Sequence, residues 1–378
     1  MNNVFIQDIA SFLPNDPVDN NQMEEILGMV NQLPSRTRKI ILRNNRIKTR
    51  YYAIDPATGQ TTHTNAELAA EAARRLTPSG PISCLCCGTA APDLLMPGHA
   101  SMVHAALGNP PCEIVSTAGI CLAGITALKY GAMAVALGQH GQAVSTGSEQ
   151  ASSFMRAKFC GPVNPERAEA LPHQPALSFE ADFLRWMLSD GAGAVLLGNT
   201  PRPDRLNLRI DWIEIVSHAD SMDTCMYAGG VKEKDGSIKA WREFSSLTEA
   251  AERGAFLVKQ DAKLLNSQVV PAVVTRSLPG IIKKHNLHPE DVTWFLPHYS
   301  SDYFRMIVHD HLAAIDFAIP LDRWFTNLEE KGNTGSASIY IILEELFKSD
   351  QLNKGDTILC FIPESGRFSV GYIMLTAV

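Results

Sequence analysis

The sequence predicts an α/β fold, because short apolar runs typical of strands alternate along the chain with Ala-rich stretches typical of helices. The chain has 378 residues, of which 45% are apolar. This is enough apolar material for one large core or for two packed halves. No repeat with a period of about 20–50 residues is visible, which argues against a solenoid or a propeller.

The strands are predicted where apolar runs end at Gly, Pro or polar residues, namely at 4–6, 82–87, 113–116, 143–146, 194–197, 208–216, 294–296, 357–362 and 369–376. Helices are predicted at 65–76, with Asn65 as the cap, and at 121–137, 247–265, 278–285 and 336–347. The stretch from Ser152 to Glu180 has little periodicity and is expected to cross the surface. Because residues 201–378 repeat the element order of residues 1–200, two related halves are predicted.

Composition excludes several classes of function. Lys plus Arg number 33 against 40 Asp plus Glu, a net charge of -7 that argues against a nucleic-acid-binding protein. No apolar run approaches the roughly 18 residues of a membrane span, and the first residues do not resemble a signal peptide. The eight cysteines are interpreted as reduced thiols of a cytoplasmic protein. Cys84, Cys86 and Cys87 are expected to be small buried residues of a strand, so no metal site is predicted.

Cys121 is the candidate nucleophile. In the segment Val115–Gly124, a predicted strand leads through small residues to this cysteine at the start of a predicted helix. A helix N-terminus lowers the pKa of a thiol and favours the thiolate, and the backbone N–H of the cysteine could help to bind an oxyanion. Taken alone, the segment would favour a small buried cysteine that packs at a helix start.

Two polar residues follow predicted elements at places where ligands bind in α/β folds. His298 comes directly after the strand at 294–296, at the carboxyl edge of the sheet. Asn333 lies in a turn bracketed by glycines before a helix. Each residue alone could be structural, His298 as a buried or solvated histidine and Asn333 as a turn residue.

Together, these three residues resemble the site of the thiolase-like condensing enzymes, and in particular the ketoacyl-ACP synthase III group. Four segments in the same order extend the resemblance over nearly the whole chain. They are Phe12-Leu13-Pro14 (family GxYLP), 189–196 (SDGAGAVL), 332–338 (GNTGSAS) and 366–371 (GRFSVG, family GGGFTWG). The resemblance implies a thiolase-like fold, with two duplicated halves in α-β-α-β-α layers.

The resemblance also implies a chemistry and its partners. Cys121 would carry the acyl group, and the N–H groups of Cys121 and Gly366 would form the oxyanion hole. His298 and Asn333 would donate hydrogen bonds to the thioester carbonyl of the second substrate. Substrates would arrive on the phosphopantetheine of an acyl carrier protein or of coenzyme A, with no bound cofactor. The enzyme would be a homodimer whose pocket is completed by the neighbouring subunit near Met96.

Departures from the fatty-acid initiation enzymes narrow the expected function. Met96 lies where those enzymes have a phenylalanine, and where relatives that join two long acyl chains or make pyrones carry a glutamate base. If the reaction needs a base, Glu149, Glu180 and Asp182 are candidates, and the sequence does not choose between them.

The run 180–190 (EADFLRWMLSD) resembles the ketosynthase/cyclases of dialkylresorcinol and bacterial stilbene pathways. Those enzymes join a β-ketoacyl thioester to a second, often α,β-unsaturated, acyl thioester and close a cyclohexanedione ring. This function is favoured for the chain. The alternatives are a starter synthase or acyltransferase of secondary metabolism, fatty-acid initiation, and a non-catalytic partner subunit.

One cationic stretch bears on partners. Between Ser35 and Tyr51 there are seven cations and no acid: Arg36, Arg38, Lys39, Arg43, Arg46, Lys48 and Arg50. Such a patch would attract an acidic carrier protein, and docking is predicted at Arg46 and Arg50. A solvated helix face with no partner is the alternative.

Overall fold

A nine-stranded mixed sheet forms the centre of the molecule in the residues that the computed structural model describes, which are 2–32, 34–159, 183–233 and 235–378. The strands within those ranges are, in chain order, β1 (Phe5–Phe12), β2 (Val18–Asp19), β3 (Thr49–Arg50), β4 (Cys84–Thr89), β5 (Glu113–Ala118), β6 (Gln142–Glu149), β7 (Gly191–Gly198), β8 (Leu208–Ser217), β9 (Met226–Tyr227), β10 (Gly230–Lys232), β11 (Ile238–Ala240), β12 (Lys259–Gln260), β13 (Trp294–Pro297), β14 (Thr357–Glu364) and β15 (Ser369–Ala377).

The α-helices of the same ranges are α1 (Met23–Leu27), α2 (Arg38–Asn45), α3 (Asn65–Arg74), α4 (His99–Leu107), α5 (Ala123–Ala136), α6 (Ser152–Met155), α7 (Leu247–Glu252), α8 (Ala262–Val270), α9 (Leu278–His285), α10 (Tyr303–Ala313), α11 (Leu328–Lys331) and α12 (Ser338–Phe347). A π-helical turn, Pro271–Arg276, joins α8 to α9. No helix in the described ranges is long and apolar enough to cross a membrane.

The large sheet has the spatial order β13-β14-β15-β8-β1-β7-β6-β4-β5. On one side of the sheet, β7 is antiparallel to β1 and β6 is antiparallel to β7. Strands β4 and β5 then run parallel to β6. On the other side, β15 is antiparallel to β8 and β14 is antiparallel to β15. Strand β13 runs parallel to β14. Strands β1 and β8 join these groups through only two residue pairs, at Phe5 and Ile6. The division of the chain at residue 200 stays a prediction.

Helices α5 and α12 are buried against this sheet and carry the site loops at their N-terminal ends. Two strand glycines allow the close approach. A Cβ on Gly88 in β4 would lie 2.2 Å from the carbonyl oxygen of Ala123, and one on Gly147 in β6 would lie 2.3 Å from that of Ser336. The first turn of α5 and the turn before α12 therefore lie directly on the ends of two neighbouring parallel strands.

The predicted strands are all present, and Cys84, Cys86 and Cys87 are buried in β4 as expected. The cap of α3 is Thr64 rather than Asn65, because the Thr64 side chain accepts from the N–H of Glu67 in a reciprocal capping box.

The single helix predicted at 247–265 is wrong. Gly254 adopts a left-handed conformation (φ +68°), which ends the first helical segment, and Asp261 caps a separate helix, α8. Of the predicted surface excursion, Ser152–Met155 forms α6, and residues 160–182 lie outside the described ranges.

Candidate active site

One pocket brings together Cys121, His298 and Asn333, three residues that are far apart in the sequence. It encloses about 850 Å³ of space, including its open mouth. Most of its wall is apolar, and one side of it comes from α8, the π-helical turn and α10: Leu265, Val269, Val270, Val273, Phe304 and Val308. Such a pocket fits an apolar substrate oriented by a few polar groups.

Cys121 lies in the turn between β5 and α5, two residues before the helix begins. A carboxylate from a distant strand holds this turn: Oε2 of Glu364 accepts hydrogen bonds from the N–H groups of Ile120 (2.8 Å) and Leu122 (3.0 Å). Among the described residues, none accepts a hydrogen bond from the N–H of Cys121 itself. Glu364 thus fixes both neighbours of the nucleophile and leaves the central N–H available.

A second available N–H belongs to Gly366, in the turn between β14 and β15. The carbonyl oxygen of Ser365 accepts from the N–H of Met226 (3.1 Å), and in a trans peptide the Gly366 N–H points in the opposite direction. No acceptor for it is found within the described ranges. A Cβ on Gly366 would lie 3.2 Å from the Ile120 side chain, so this turn packs against the nucleophile turn. Two free N–H groups on adjoining turns can bind an oxyanion.

The surroundings of Cys121 correct the predicted direction of its pKa. Burial raises the pKa of the thiol well above its usual value, and the carboxyls of Glu364 and Glu149 raise it further. A lowered pKa was expected from the helix N-terminus. That expectation was wrong, because Glu364 places a carboxylate on the N–H groups that would have supplied the positive potential. The resting thiol is therefore protonated and needs a base at the moment of attack.

His298 follows β13, and its N–H donates to the carbonyl oxygen of Phe361 in β14 (2.8 Å). Burial lowers the pKa of its imidazole to about 4, so the ring is neutral at physiological pH. No described residue forms a hydrogen bond with the ring, which faces the pocket. A neutral imidazole can accept a proton through one nitrogen while the other donates.

The backbone of Asn333 forms an isolated β-bridge with the segment that follows Met187, and this bridge fixes the position of the residue. Its N–H donates to the carbonyl oxygen of Met187 (2.9 Å), and its carbonyl oxygen accepts from the N–H of Ser189 (2.8 Å). The side-chain Oδ1 accepts from the N–H of Gly335 (2.9 Å). Because Oδ1 is occupied, the amide Nδ2 is the group left to donate into the pocket.

Glu149, at the end of β6, is the one base candidate among the three that falls in the described part of the chain, and it lines the same pocket. Burial raises the pKa of its carboxyl to about 7. Glu180 and Asp182 lie outside the described ranges.

Met96 lies on the loop between β4 and α4 and is 83% exposed in the single chain, outside the pocket wall. The docking role predicted for Arg50 is wrong. Arg50 is completely buried, and it donates to Oδ1 of Asn20 (2.8 Å) and to the carbonyl oxygen of Trp186 (3.1 Å). Arg46 is exposed but forms an ion pair with Asp302 (3.1 Å).

One group in the described part of the chain has side chains close enough to hold a metal ion: Cys84, Glu113 and His140. It lies where β4 and β5 begin, whereas Cys121 follows the end of β5. Nε2 of His140 already contacts Oε2 of Glu113 (2.7 Å). The sequence interpretation missed this cluster because its members are separated along the chain.

The chain is similar to known proteins over almost its whole length. Residues 282–374 match the family described as 3-oxoacyl-[acyl-carrier-protein (ACP)] synthase III C terminal. The β-ketoacyl-[acyl-carrier-protein] synthase III of Clostridium perfringens is 26% identical over 365 residues, covering 95% of each chain. That of Helicobacter pylori is 25% identical, covering 94% of this chain and 92% of its own.

Solved structures extend the fold similarity over almost the whole chain. AbyA1, a tetronic acid condensing enzyme, superposes with a TM-score of 0.72 at 20% identity and 99% coverage of both chains. OleA of Xanthomonas campestris, solved with lauric acid and lauroyl-CoA, gives a TM-score of 0.69 at 19% identity, also with 99% coverage of both chains.

The large sheet with its buried helices is a thiolase-like fold, shared with the solved FabH structures of Pseudomonas aeruginosa and Thermus thermophilus at TM-scores of 0.69 and 0.68. Through the match at residues 282–374 and relatives of 25–26% identity, the chain is similar to the FabH-like ketosynthase III enzymes. The curated relatives are named for an acyl carrier protein, and the OleA structure contains lauroyl-CoA.

Proposed function

We propose that the protein is a ketosynthase/cyclase that joins a β-ketoacyl thioester to a second, possibly α,β-unsaturated, acyl thioester through an acyl-Cys121 intermediate. The product would be a cyclohexanedione-type precursor of dialkylresorcinols or stilbenes. The observation that carries the proposal is the single apolar pocket that holds Cys121, His298 and Asn333. Its wall of aliphatic and aromatic side chains suits acyl groups.

The first half-reaction loads the enzyme. The neutral His298 takes the proton of the Cys121 thiol, and the sulfur attacks the carbonyl carbon of an acyl thioester. The oxyanion is bound by the N–H groups of Cys121 and Gly366. The carrier's C–S bond then breaks, and His298 returns the proton to the departing thiolate.

The second half-reaction forms the carbon–carbon bond. The carbonyl oxygen of the β-ketoacyl thioester accepts hydrogen bonds from His298 and from Nδ2 of Asn333, which stabilise the enolate formed when its α-proton is lost. The α-carbon attacks the acyl carbonyl, the C–S bond to Cys121 breaks, and the thiolate takes up a proton in place of the one lost from the α-carbon. Ring closure needs a second carbon–carbon bond, formed when an enolate carbon adds to the β-carbon of the unsaturated chain. Charge develops on two different oxygens in the two halves, so two separate sets of donors are required.

Product analysis tests the ring-forming step. The purified enzyme is incubated with a β-ketoacyl-CoA and an α,β-unsaturated acyl-CoA, and the products are identified by mass. A cyclohexanedione that contains both acyl chains supports the cyclase. A linear β-ketoacyl product would reduce the function to simple condensation, and an ester or amide of an added acceptor would indicate an acyltransferase of the same fold.

We further propose that the enzyme is a homodimer. Strand β5 lies at the edge of the sheet and is largely exposed, and it leads directly to Cys121. The loop before α4 presents Leu95 (80% exposed) and Met96 beside it. An uncovered edge strand next to an exposed apolar loop favours association with a second copy across a two-fold axis. Met96 of each protomer would then lie near the pocket of its partner.

Ile114→Asp on β5 is expected to weaken the dimer at least about tenfold, because it places a charge in the centre of the apolar contact. Sedimentation velocity over a range of concentrations measures the effect. Leu247→Asp on α7 replaces another exposed apolar residue, which lies outside this surface, and serves as the control. A wild-type protein that is monomeric at all concentrations, or an equal effect of the control, would contradict the proposed interface.

The partner that delivers the substrates is proposed to be an acyl carrier protein, and we propose a docking site on the cationic stretch at residues other than Arg46 and Arg50. With Arg50 buried and Arg46 paired, Lys39 and Arg43 are the exposed cations one turn apart on α2, and neither has an ion pair in the described ranges. The C-terminal end of α2 lies near the pocket wall, because Nδ2 of Asn45 donates to the carbonyl oxygen of Trp186 (2.8 Å), next to Met187 of that wall.

The double variant Lys39→Glu, Arg43→Glu is expected to raise the KM for a carrier-bound acyl substrate roughly tenfold or more, because electrostatic attraction to an acidic partner is reversed. The KM for the same acyl group on a small thioester is expected to stay unchanged. Lys354→Glu, an exposed lysine before the start of β14 and so at the opposite end of the sheet from His298, is the matched control. Equal effects on both substrates would exclude docking at α2.

A further inference from the structure

Three side chains that can bind a metal meet at the end of the sheet opposite to the catalytic pocket: Cys84, Glu113 and His140. Cys84 begins β4 and Glu113 begins β5, and the two residues are direct partners in this parallel pair. His140 lies in the turn between α5 and β6, and β6 pairs with the other side of β4. The three side chains therefore lie where three neighbouring parallel strands begin.

Their donor atoms are close enough to share one ion. Sγ of Cys84, a carboxylate oxygen of Glu113 and a ring nitrogen of His140 all lie within 4.8 Å of one another. In a tetrahedral zinc site with bonds of about 2.0–2.3 Å, neighbouring donor atoms are about 3.3–3.8 Å apart. Nε2 of His140 lies 2.7 Å from Oε2 of Glu113, so these two atoms would separate by roughly half an ångström to admit the ion. Both side chains are partly exposed in the single chain and have room for this movement.

Two further residues hold the ligands in place. The hydroxyl of Tyr130, on α5, donates to Oε1 of Glu113, and Oε2 faces His140. Sγ of Cys86 lies 3.6 Å from Sγ of the completely buried Cys84, and its thiol can donate to a thiolate there. Outer hydrogen bonds of this kind orient the ligands of metal sites. An ion pair between His140 and Glu113 accounts for two of the three donors, but not for the buried sulfur beside them.

We propose that Cys84, His140 and Glu113 bind one Zn²⁺ ion, with a water molecule as the fourth ligand. A sulfur and an imidazole donor favour zinc over Mg²⁺ and Ca²⁺, which prefer oxygen ligands alone. The partly exposed His140 and Glu113 leave the fourth position accessible to water. On binding, Cys84 coordinates as the thiolate and its proton passes to the solvent.

The ion has a structural role that is independent of the proposed function. Strand β5 is six residues long and separates the cluster from the Cys121 turn by about 20 Å. It is the last strand of the large sheet and is paired on one side only. The ion would join the first residue of β5 to β4 and to the turn before β6, and would thereby hold this edge strand in place.

The test measures zinc binding by the full chain after metal has been removed with a chelator. The wild type is titrated in a Zn²⁺ buffer and is expected to bind one ion per chain. Its thermal unfolding midpoint is expected to rise by about 3 °C when free Zn²⁺ is about 100 times the Kd. His140→Ala and Glu113→Gln, which change partly exposed side chains, are each expected to weaken binding about 100-fold or more, because loss of an outer partner alone costs roughly 10–100-fold.

Two cysteine variants are the controls. Cys112→Ser removes a thiol next to Glu113 in the chain that does not belong to the cluster, and it is expected to bind Zn²⁺ like the wild type. Cys121→Ala removes the thiol that shares the catalytic pocket with His298, the other place where zinc would find a sulfur and an imidazole. This variant is expected to retain one ion per chain.

Cobalt identifies the sulfur ligand. Co²⁺ bound to the Cys84 thiolate is expected to show a charge-transfer absorption in the near ultraviolet, which Cys84→Ser removes. Absence of saturable Zn²⁺ binding by the wild type, or undiminished binding by His140→Ala and Glu113→Gln, would overturn the proposal. Loss of the bound ion in Cys121→Ala would place the metal in the catalytic pocket and would overturn it equally.

Discussion

Replacement of Cys121 by alanine is expected to abolish the covalent acyl adduct and to reduce turnover on the order of 10⁶-fold, the scale seen when a catalytic nucleophile is removed. The reason is that, among the described residues, Cys121 is the only cysteine that lines the pocket. Cys225 lies in a segment that reaches the pocket through Met226, but its own thiol donates to the carbonyl oxygen of Asp261 and is buried. Intact mass after incubation with an acyl-CoA detects the adduct.

Cys225→Ala is the matched control and is expected to acylate like the wild type. An adduct that persists in Cys121→Ala would place the nucleophile elsewhere. No adduct in the wild type with any acyl donor would favour the non-catalytic partner subunit, the remaining alternative from the sequence.

The same variant tests the state of the thiol. Because burial and two carboxyls raise the pKa of Cys121, its alkylation by iodoacetamide is expected to be slow at neutral pH and to accelerate as the pH rises. A thiol activated by a helix N-terminus would react quickly at neutral pH. The comparison is made against Cys121→Ala, which removes the signal that belongs to this residue.

The fold and the three candidate residues Cys121, His298 and Asn333 could be predicted from the sequence because both depend on short local patterns. Alternating apolar runs predicted the strands, and the turns around Cys121, His298 and Asn333 contain short motifs that pointed to three residues which the structure places in one pocket. The failed helix at 247–265 has an equally local cause, since Gly254 is compatible with a helical composition and only its left-handed conformation ends the helix.

What the sequence did not predict depends on contacts between distant segments. Glu364 is more than 240 residues from the two N–H groups that it binds, and nothing in its own segment indicates that it would hold the nucleophile turn. Arg50 belongs to a uniformly cationic stretch, yet its neighbours in space bury it completely, while Lys39 and Arg43 stay at the surface. Charge read along a chain thus does not distinguish a structural arginine from one that meets a partner.

Glu149 illustrates the same limit at the site itself. The sequence offered three acids as possible bases, and no spacing rule separated them. Burial and the anchoring of one oxygen by Ala90 distinguish Glu149 as a candidate base in the described part of the chain, because both depend on how β6 ends beneath the Asn333 turn.

His298→Ala and Asn333→Ala are each expected to retain acylation of Cys121 to a measurable extent but to lose carbon–carbon bond formation by roughly 10²–10³-fold, the usual cost of one oxyanion donor. The two should differ in the first half-reaction. His298→Ala also removes the base for the Cys121 thiol and slows loading, whereas Asn333→Ala leaves loading intact, since the Asn333 side chain serves only the second thioester. Single-turnover loading followed by intact mass, and product formation followed separately, measure the two steps.

Asn333→Asp is the matched control for shape. It keeps an oxygen that can accept from the N–H of Gly335, but it replaces the Nδ2 donor with a carboxylate oxygen beside the developing enolate. It is therefore expected to condense at least as poorly as Asn333→Ala while still loading the acyl group. Normal condensation by Asn333→Ala or Asn333→Asp would show that the enolate is stabilised by other donors, and equal loading rates for His298→Ala and the wild type would exclude the imidazole as the base for Cys121.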